Sequence, residues 1–411
     1  MRQLPEFGKL LEFLGGNPLS LQVILPLLAD GTKPEALLAK LQAGTVSLPE
    51  SDTTEQGRDK SLTASLTYRL ESLSTTDTAR LSVVGLFQGF VNAVVLAIIS
   101  AEDTAPTELR GLSTQDWTRI LSAAAEIGLM RVVGEGYFSV HPALPWFFHE
   151  KLTATFGGRL PDLEMLFASV YGQYAHWLSQ TFQTNPQFAM SLLSAEEANC
   201  LHALRLSQRQ QQDEATSGIL YGVKQLWTTQ GRWEEFERLL QGVESEVQDS
   251  NGEPVTGRDF LWVNVLGMRV EIANYRRDFV TVEKMLLRLN NHYEAAGDEK
   301  NVAVALHQLG MIAEERRNFD EAEKWYRQSL EIEQRIGNEH GAAITLHQLG
   351  MIAEERRNFD EAEKWYKQAE GIFQRISDPH SLAIVQGSLA RLAALTSPGG
   401  TTADPSGSAK G

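Results

Sequence analysis

Histidine and cysteine are two residue types that commonly ligate metals or take part in acid–base and nucleophilic chemistry. The chain has nine histidines and a single cysteine, Cys200. His149 and Glu150 begin an H-E-x-x-H pattern, but Thr153 stands where the second ligand is needed. Cys200 lies in no motif for nucleophilic catalysis, and the sequence contains no G-x-S-x-G pattern. None of these residues predicts a catalytic site.

His307 and His347 are separated by 40 residues and occupy equivalent positions of two neighbouring repeats. Equivalent positions of stacked helical repeats lie about 8–10 Å apart, one helix-packing distance. A zinc ion needs its ligands at about 2 Å, so these two histidines are not expected to share one. The sequence therefore predicts no metal, no catalytic residue and no enzyme activity.

The elements that carry these histidines belong to an internal repeat. Residues 306–326 and 346–366 have the same sequence, LHQLGMIAEERRNFDEAEKWY. A recent tandem duplication accounts for the identity without any selection on function. Units of this kind bury their apolar faces against their neighbours and form an elongated stack, which offers a binding surface rather than a reaction pocket. Helical spacing is seen in two groups of residues, first Leu306, Leu309 and Ala313, then Phe319, Ala322, Tyr326 and Leu330.

Each repeat is predicted to be a helix–turn–helix hairpin. Asn318 is a suitable N-cap, with Glu321 as its capping-box partner. Gly337 stands where a left-handed C-terminal cap would end the second helix. Residues 381–395 align with a first helix and are expected to cap the array. An aromatic residue follows a turn-like polar pair at four places along the chain: Trp233, Phe279, Phe319 and Phe359.

These residues resemble the tetratricopeptide repeat. The resemblance rests on Leu309–Gly310, Ala313, Phe319, Ala322 and Tyr326, with Gly310 and Ala322 as the small residues where helices approach closely. The period is 40 rather than 34 residues, as in the kinesin-light-chain-like and bacterial signalling branches of the family. Two units depart from the family pattern, because Val270 replaces the glycine of the 257–297 unit and Phe236 replaces the small residue of the 215–249 unit.

The resemblance implies a protein or peptide partner bound in a concave groove lined by the first helix of each unit. An alternative is that the residues of this face pack between adjacent first helices or face water. Exposed methionine suits an adaptable groove for peptides. Eight residues are the candidate partner contacts: Val304, His307, Met311, Glu314, Ile344, His347, Met351 and Glu354.

Composition sets the class of protein. The chain has 411 residues, which is longer than the chain that usually folds around one hydrophobic core, so two or three domains are expected. With 37 basic and 53 acidic residues its net charge is −16, which disfavours nucleic acid and anionic membranes as partners. The lone Cys200 excludes an internal disulfide and fits a reducing compartment. No apolar segment is long enough to predict a membrane span, so a cytoplasmic location is expected.

The sequence before the repeats has three breaks: the polar segment 44–59, the FGGRLP segment 156–161, and the Gly/Ser/Pro/Thr-rich tail after residue 396. Short helices are predicted between the first two breaks, followed by two strand-like runs joined by Gly134–Glu135–Gly136. Helices followed by a β-hairpin suggest a winged helix. The predicted helices are 61–73, 77–86, 92–101 and 115–127, and the predicted strands are 129–133 and 137–141.

Several segments of the N-terminal half resemble the NB-ARC-type, or STAND-class, signalling ATPases. LGGNPLSLQVILPLL (14–28) resembles their glycine–hydrophobic–proline segment, and residues 61–90 resemble their winged-helix subdomain. SVHPALPWFFHEKL (139–152) resembles their Met-His-Asp region, and AEEANCLHAL (195–204) resembles a lead-in to their C-terminal repeats. The resemblance implies that Pro18 touches adenine and that His141 reaches the bound diphosphate. Val140 and Pro142 depart from the family form of the histidine motif. The alternative is that His141 is a buried, hydrogen-bonded histidine at the end of the predicted hairpin.

The phosphate-binding loop of those ATPases is missing. No G-x-x-x-x-G-K-[ST] pattern occurs in the sequence, and this loop is what cradles the phosphates and places Mg²⁺. The chain is therefore expected to correspond to the regulatory and sensor half of such a protein, beginning just after the ATPase core. No cofactor is expected. ATP or ADP would be bound only if a P-loop domain is supplied by another chain or by a missing N-terminus.

A winged helix also raises the possibility of DNA binding. Its candidate recognition helix, 115–127, carries Arg119 against Asp116 and Glu126, and its wing carries Glu135. Contact with phosphates needs net positive charge, so nucleic acid is an unlikely partner and a packing module is favoured.

The sequence thus predicts a mainly α protein: a helical remnant and a winged-helix domain followed by a tetratricopeptide-type α-solenoid. The predicted function is a protein-interaction scaffold that forms the regulatory-sensor half of a STAND-like signalling protein. The alternatives are a winged-helix transcription regulator, or a truncated relic that acts only as a repeat scaffold. The predicted domains are 1–44 (helical remnant), 45–60 (linker), 61–157 (winged helix), 158–210 (helical connector), 211–396 (repeats with a capping helix) and 397–411 (disordered tail).

Overall fold

The structure is a computed structural model that describes residues 5–14, 18–29, 31–45, 64–140 and 144–396. His141, most of the predicted linker 45–60 and the predicted tail 397–411 lie outside the described residues. The chain divides into two compact units, Met1–Leu261 and Trp262–Gly411.

Three short helices begin the first unit: α1 (Pro5–Phe13), α2 (Pro18–Ala29) and α3 (Pro34–Thr45). Each starts with a proline, whose fixed φ suits the first turn of a helix and whose missing N–H has no partner there in any case. α1 packs on α3. Leucines of α1 and α3, and Leu14 just after α1, are shielded from water: Leu10, Leu14, Leu37 and Leu41 are fully buried.

Helices and a small sheet alternate over residues 64–140. Residues 64–70 form α4. They are followed by α5 (Thr75–Leu81), which continues as a 3-10 helix (Ser82–Leu86), and then by β1 (Phe90–Asn92) and α6 (Ala93–Ala101). The last elements are α7 (Thr114–Glu126), β2 (Met130–Gly134) and β3 (Tyr137–Val140). Serine caps fix two of these helix starts: the side chain of Ser74 accepts from the Asp77 N–H, and Ser113 forms a capping box with Asp116.

The predicted hairpin is confirmed, since β2 and β3 pair antiparallel with Met130 opposite Val140. The sheet has a third strand that the sequence did not predict. β1 pairs antiparallel with β3, with Val91 opposite Phe138, which gives the order β1-β3-β2. Residue 92 was predicted as helical, but Asn92 ends β1 and caps α6 by accepting from the Val94 N–H. The winged-helix assignment of residues 61–157 stays a prediction.

Five longer helices follow in the first unit: α8 (Pro145–Phe156), α9 (Leu160–Thr181), α10 (Pro186–Arg209), α11 (Asp213–Thr229) and α12 (Trp233–Val247). α9 and α11 are in backbone contact because small residues line their crossing. A Cβ atom added at Gly172 would lie 2.6 Å from the Cα of Ala215, and one added at Gly218 would collide with the Gly172 carbonyl. Only glycine fits at these two positions.

A buried carboxylate joins the sheet to α9 and α10. Glu196 of α10 is fully buried, and its carboxylate accepts from Tyr171 Oη at 2.9 Å, Asn199 Nδ2 at 2.6 Å and Asn92 Nδ2 at 3.2 Å. Asn199 in turn donates to the Phe90 carbonyl at 2.9 Å. Burial raises the pKa of Glu196, and these hydrogen bonds offset part of that rise. The AEEANC segment thus fastens β1 to the helices that follow.

The second unit is a row of helical hairpins, which confirms the predicted mainly α fold with a repeat solenoid. α13 (Asp259–Tyr275) crosses the division between the units, and α15 packs on α14 and α16, α17 on α16 and α18, and α19 on α18. The helices are α14 (Phe279–Ala296), α15 (Glu299–Glu315), α16 (Phe319–Arg335), α17 (Glu339–Glu355), α18 (Phe359–Arg375) and α19 (Pro379–Thr396).

Glycine and tyrosine set the distance between the two helices of a hairpin. Tyr326 of α16 and Tyr366 of α18 are fully buried. A Cβ atom added at Gly310 would lie 2.6 Å from the Tyr326 ring, and one added at Gly350 would lie 2.5 Å from the Tyr366 ring. Ala322 and Ala362 are fully buried as well. The small residues of the repeat therefore stand at the close approach that was predicted.

One cap differs from the sequence prediction. Asn318 is the N-cap of α16, but its side chain makes no capping hydrogen bond and instead donates from Nδ2 to Glu321 Oε2 at 2.7 Å. The predicted capping box is therefore wrong, because the two side chains bind each other instead of the backbone N–H groups. Gly337 has φ +71°, which confirms the left-handed residue that ends α16.

Candidate partner-binding face

Three aliphatic side chains form a regular row on the first helices of the second unit. Val304 on α15, Ile344 on α17 and Ile384 on α19 are spaced by 40 residues, with exposed fractions of 45%, 37% and 50%. Met311 is also exposed, while Met351 packs partly against the core. We call Val304, Met311, Ile344, Met351 and Ile384 the first-helix row. Large exposed aliphatic side chains in a regular row are the kind of surface that binds apolar groups of a partner.

His307 and His347 lie partly buried beside the first-helix row and link successive first helices. His307 Nδ1 lies 2.9 Å from Thr345 Oγ1, which joins α15 to α17. His347 Nε2 lies 3.1 Å from Ser388 Oγ, which joins α17 to α19. Burial lowers the pKa of His307 to about 4 and also lowers the pKa of His347, so both imidazoles are neutral near pH 7.

The two predicted glutamates are also held by neighbouring side chains. Glu314 accepts from Tyr326 Oη at 2.8 Å, and Glu354 accepts from Tyr366 Oη at the same distance. Glu354 further binds the Arg391 guanidinium through two hydrogen bonds of 2.9 Å, and this contact lowers the pKa of Glu354. These contacts hold Glu314 and Glu354 in place on the helices that carry Met311 and Met351. A partner would therefore meet an ordered surface, which lowers the entropy cost of binding.

A buried polar chain lies beneath His307. The Thr345 hydroxyl donates to Glu333 Oε2 at 2.9 Å, and Thr345 is fully buried while Glu333 is only 4% exposed. Burial raises the pKa of Glu333 to about 7, although the hydrogen bond from Thr345 acts in the opposite direction. The next repeat has Phe373 and Val385 at the corresponding positions. The two repeats therefore differ in their cores even though their central 21 residues are identical.

The predicted contacts thus fall into two groups. Val304, Ile344 and Met311 are exposed and Met351 is half-buried, whereas the histidines and glutamates make hydrogen bonds within the unit. Ile384 was not among the predicted contacts, although it stands 40 residues after Ile344 in the helix that was predicted to cap the array. The partner-binding role of all these residues stays a prediction.

The two residues carried over from the signalling ATPases are not brought together by the described structure. Pro18 is the first residue of α2, and His141 lies outside the described residues. Within the described ranges, no three His, Cys, Asp or Glu side chains are grouped so that they could hold a metal ion. Cys200 is buried, and burial raises the pKa of its thiol. Of the helices that the structure describes, none is long and apolar enough to cross a membrane.

Two solved structures share a general likeness with this chain. One is a Signal Transduction ATPase with Numerous Domains (STAND) protein with a tetratricopeptide repeat sensor from Pyrococcus horikoshii, 14% identical with a TM-score of 0.40. That match covers 95% of this chain but only 60% of the other. The second is BtubC (BKLC) from P. vanneervenii, 15% identical with a TM-score of 0.33, covering 61% of this chain and 96% of the other. No curated protein sequence matches the chain.

The tetratricopeptide repeat family matches residues 301–375. This segment contains nearly all of α15 and the whole of α16, α17 and α18. It includes both glycine–tyrosine contacts and four of the five residues of the first-helix row. The chain thus carries tetratricopeptide repeats at residues 301–375, in the part of the second unit that presents the row.

Proposed function

We propose that the second unit recognises a protein or peptide partner on its first-helix row. The observation that carries this proposal is the spacing of Val304, Ile344 and Ile384, which stay exposed at equivalent positions of three successive first helices. A recent duplication explains why two neighbouring repeats carry similar residues. It does not explain why Ile384 keeps an aliphatic side chain in α19, where the surrounding sequence has diverged.

The row fits a partner segment that presents apolar side chains at regular intervals. Methionine at two of the five positions allows the surface to adapt to different side chains. The hydrogen-bonded His307, His347, Glu314 and Glu354 alternate with the apolar residues along the first helices and add polar groups to this surface.

The wider role that we propose is that of the sensor and regulatory part of a STAND-like signalling protein. This role rests on the sequence resemblance of residues 14–28, 139–152 and 195–204 to that class. In this role the first unit would pack against other parts of the protein and relay conformational changes, and it would not bind DNA. In support, Arg119 of α7 is bound to Asp77 by contacts of 3.1 and 3.3 Å, so this cation is already neutralised within the chain.

The test starts with random peptides displayed on phage and selected on the full chain. The affinity of selected peptides is then measured for Val304→Asp and for the matched control Val280→Asp, a valine of α14 that is 70% exposed on a second helix. We expect Val304→Asp to weaken binding by at least about tenfold, because it places a charge among apolar contacts. The control should bind like the parent. Equal effects of the two substitutions would contradict the proposal.

A further inference from the structure

An arginine-rich cleft lies in the first unit and takes no part in the proposed peptide recognition. Its volume is about 600 Å³, within the usual range of about 300–1,000 Å³ for small-molecule sites. Five of its six lining residues carry hydrogen-bond donor groups, and three of them are arginines, in a chain whose net charge is −16. The residues that line it are Arg205, Gln208 and Arg209 of α10, Gln211 of the following turn, Glu246 of α12, and Arg258 just before α13.

Arg205 and Arg209 are one helical turn apart and place two positive charges on one face of α10. Each makes a hydrogen bond from Nε to a carbonyl of the same helix, to Leu201 at 3.1 Å and to Arg205 at 3.4 Å. Neither is in an ion pair with any residue of the described part of the chain. Like charges at this spacing repel each other, and their Nη–H groups remain as donors for a ligand.

The other charged groups of the cleft have partners. Arg258 binds Asp213 through contacts of 2.6 and 2.8 Å, and both side chains are largely buried, which fixes the guanidinium in place. Glu246 accepts from Gln208 Nε2 at 3.0 Å. Because Arg258 is paired with Asp213, the lining keeps the charges of Arg205 and Arg209 against the single carboxylate of Glu246. The field of these two arginines also acts on His202, whose pKa is lowered to about 4 by burial first and by the two cations second.

We propose that this cleft binds a small phosphorylated molecule, with phosphate oxygens held by Arg205 and Arg209. Guanidinium groups match the oxygens of a phosphate through paired, charge-assisted hydrogen bonds. Two guanidiniums about one helical turn apart suit two linked phosphate groups better than one. The amides of Gln208 and Gln211 and the carboxylate of Glu246 supply further polar contacts for the rest of the ligand.

Isothermal titration of the full chain with inorganic pyrophosphate tests the proposal, with citrate as a carboxylate of comparable charge. We expect saturable binding of pyrophosphate that is tighter than that of citrate. The variant R205Q/R209Q should lose at least about tenfold in affinity, while R238Q, which removes an exposed arginine of α12 outside the cleft, should bind like the parent.

Folding of the variants is checked by circular dichroism, since removing two repelling charges should leave the helices intact. Equal binding by the parent and by R205Q/R209Q, or tighter binding of citrate, overturns the proposal, and so does the absence of saturable pyrophosphate binding. V304D should bind pyrophosphate normally. Peptide affinity and pyrophosphate affinity are measured separately, so a failure of peptide recognition can be distinguished from a failure of phosphate binding.

Discussion

The substitution Gly350→Ala tests how closely the helices of a repeat must approach. The added Cβ would lie 2.5 Å from two atoms of the Tyr366 ring. The ring is fully buried, its hydroxyl is bound to Glu354 at 2.8 Å, and its centroid lies 5.3 Å from the centroid of the His347 ring. The tyrosine therefore has little freedom to move, and α17 and α18 would have to separate.

Overpacking of this kind costs about 1–3 kcal/mol, while alanine gains about 1 kcal/mol over glycine in a helix interior. We therefore expect Gly350→Ala to lose up to about 2 kcal/mol. Gly371 is the matched control, because it lies inside α18 and a Cβ added there meets nothing within 4 Å. Gly371→Ala should stabilise the hairpin by about 0.5–1 kcal/mol.

Hydrogen exchange followed by mass spectrometry measures the opening free energy of this hairpin in the full chain. Residues 306–326 and 346–366 yield identical peptides, so the measurement uses residues 367–375, which are unique in sequence. Exchange there should be faster than in the parent for Gly350→Ala and slower for Gly371→Ala. If both variants slowed exchange equally, the contact between Gly350 and Tyr366 would not set the helix distance.

Three further predictions concern buried contacts. Gly218→Ala should destabilise the first unit by at least about 2 kcal/mol in urea unfolding, because the new Cβ collides with the Gly172 carbonyl. Glu196→Gln should cost about 1–3 kcal/mol in the same assay, because an amide N–H₂ would face side-chain donors of α9 and β1. The pKa of Glu333 is raised to about 7, so the folded state binds the extra proton between about pH 4.5 and 7 and stability is lost as the pH rises through that window. Glu333→Gln has no carboxyl group to titrate, so its stability should not fall over this window. Its free energy of unfolding relative to the parent should therefore be up to about 3 kcal/mol higher at about pH 8 than at about pH 5. Hydrogen exchange of residues 327–336 measures this difference.

The repeat helices could be predicted because their information is local. Apolar residues at helical spacing mark the buried faces, and aromatic residues mark the first position of each second helix: Trp233, Phe279, Phe319 and Phe359 begin α12, α14, α16 and α18. The repeat motif likewise predicted the close helix approach at Gly310 and the left-handed helix end at Gly337. The prediction of a capping box was wrong because an asparagine side chain can bind either a backbone N–H group or a nearby side chain. Asn318 binds the side chain of Glu321, and the sequence does not decide between the two.

The rest depends on contacts between residues far apart in sequence. β1 has only three residues and gains its partner from β3, so no periodicity marks it. Glu196 and Asn92 are 104 residues apart, and their hydrogen bond could not be predicted from either motif. The arginine cleft combines residues of α10 and α12 with the residue before α13, which only the fold brings together. Ile384 differs from these, because alignment of α19 with the earlier first helices would have placed it in the row.

Photo-crosslinking shows whether the first-helix row holds the partner. A benzoylphenylalanine is introduced at Ile344 in one variant and at Val280 in another, and each is irradiated with a selected peptide bound. We expect a crosslinked product from position 344 and little or none from position 280. Crosslinking at position 280 without crosslinking at position 344 would contradict binding of the partner on the first-helix row.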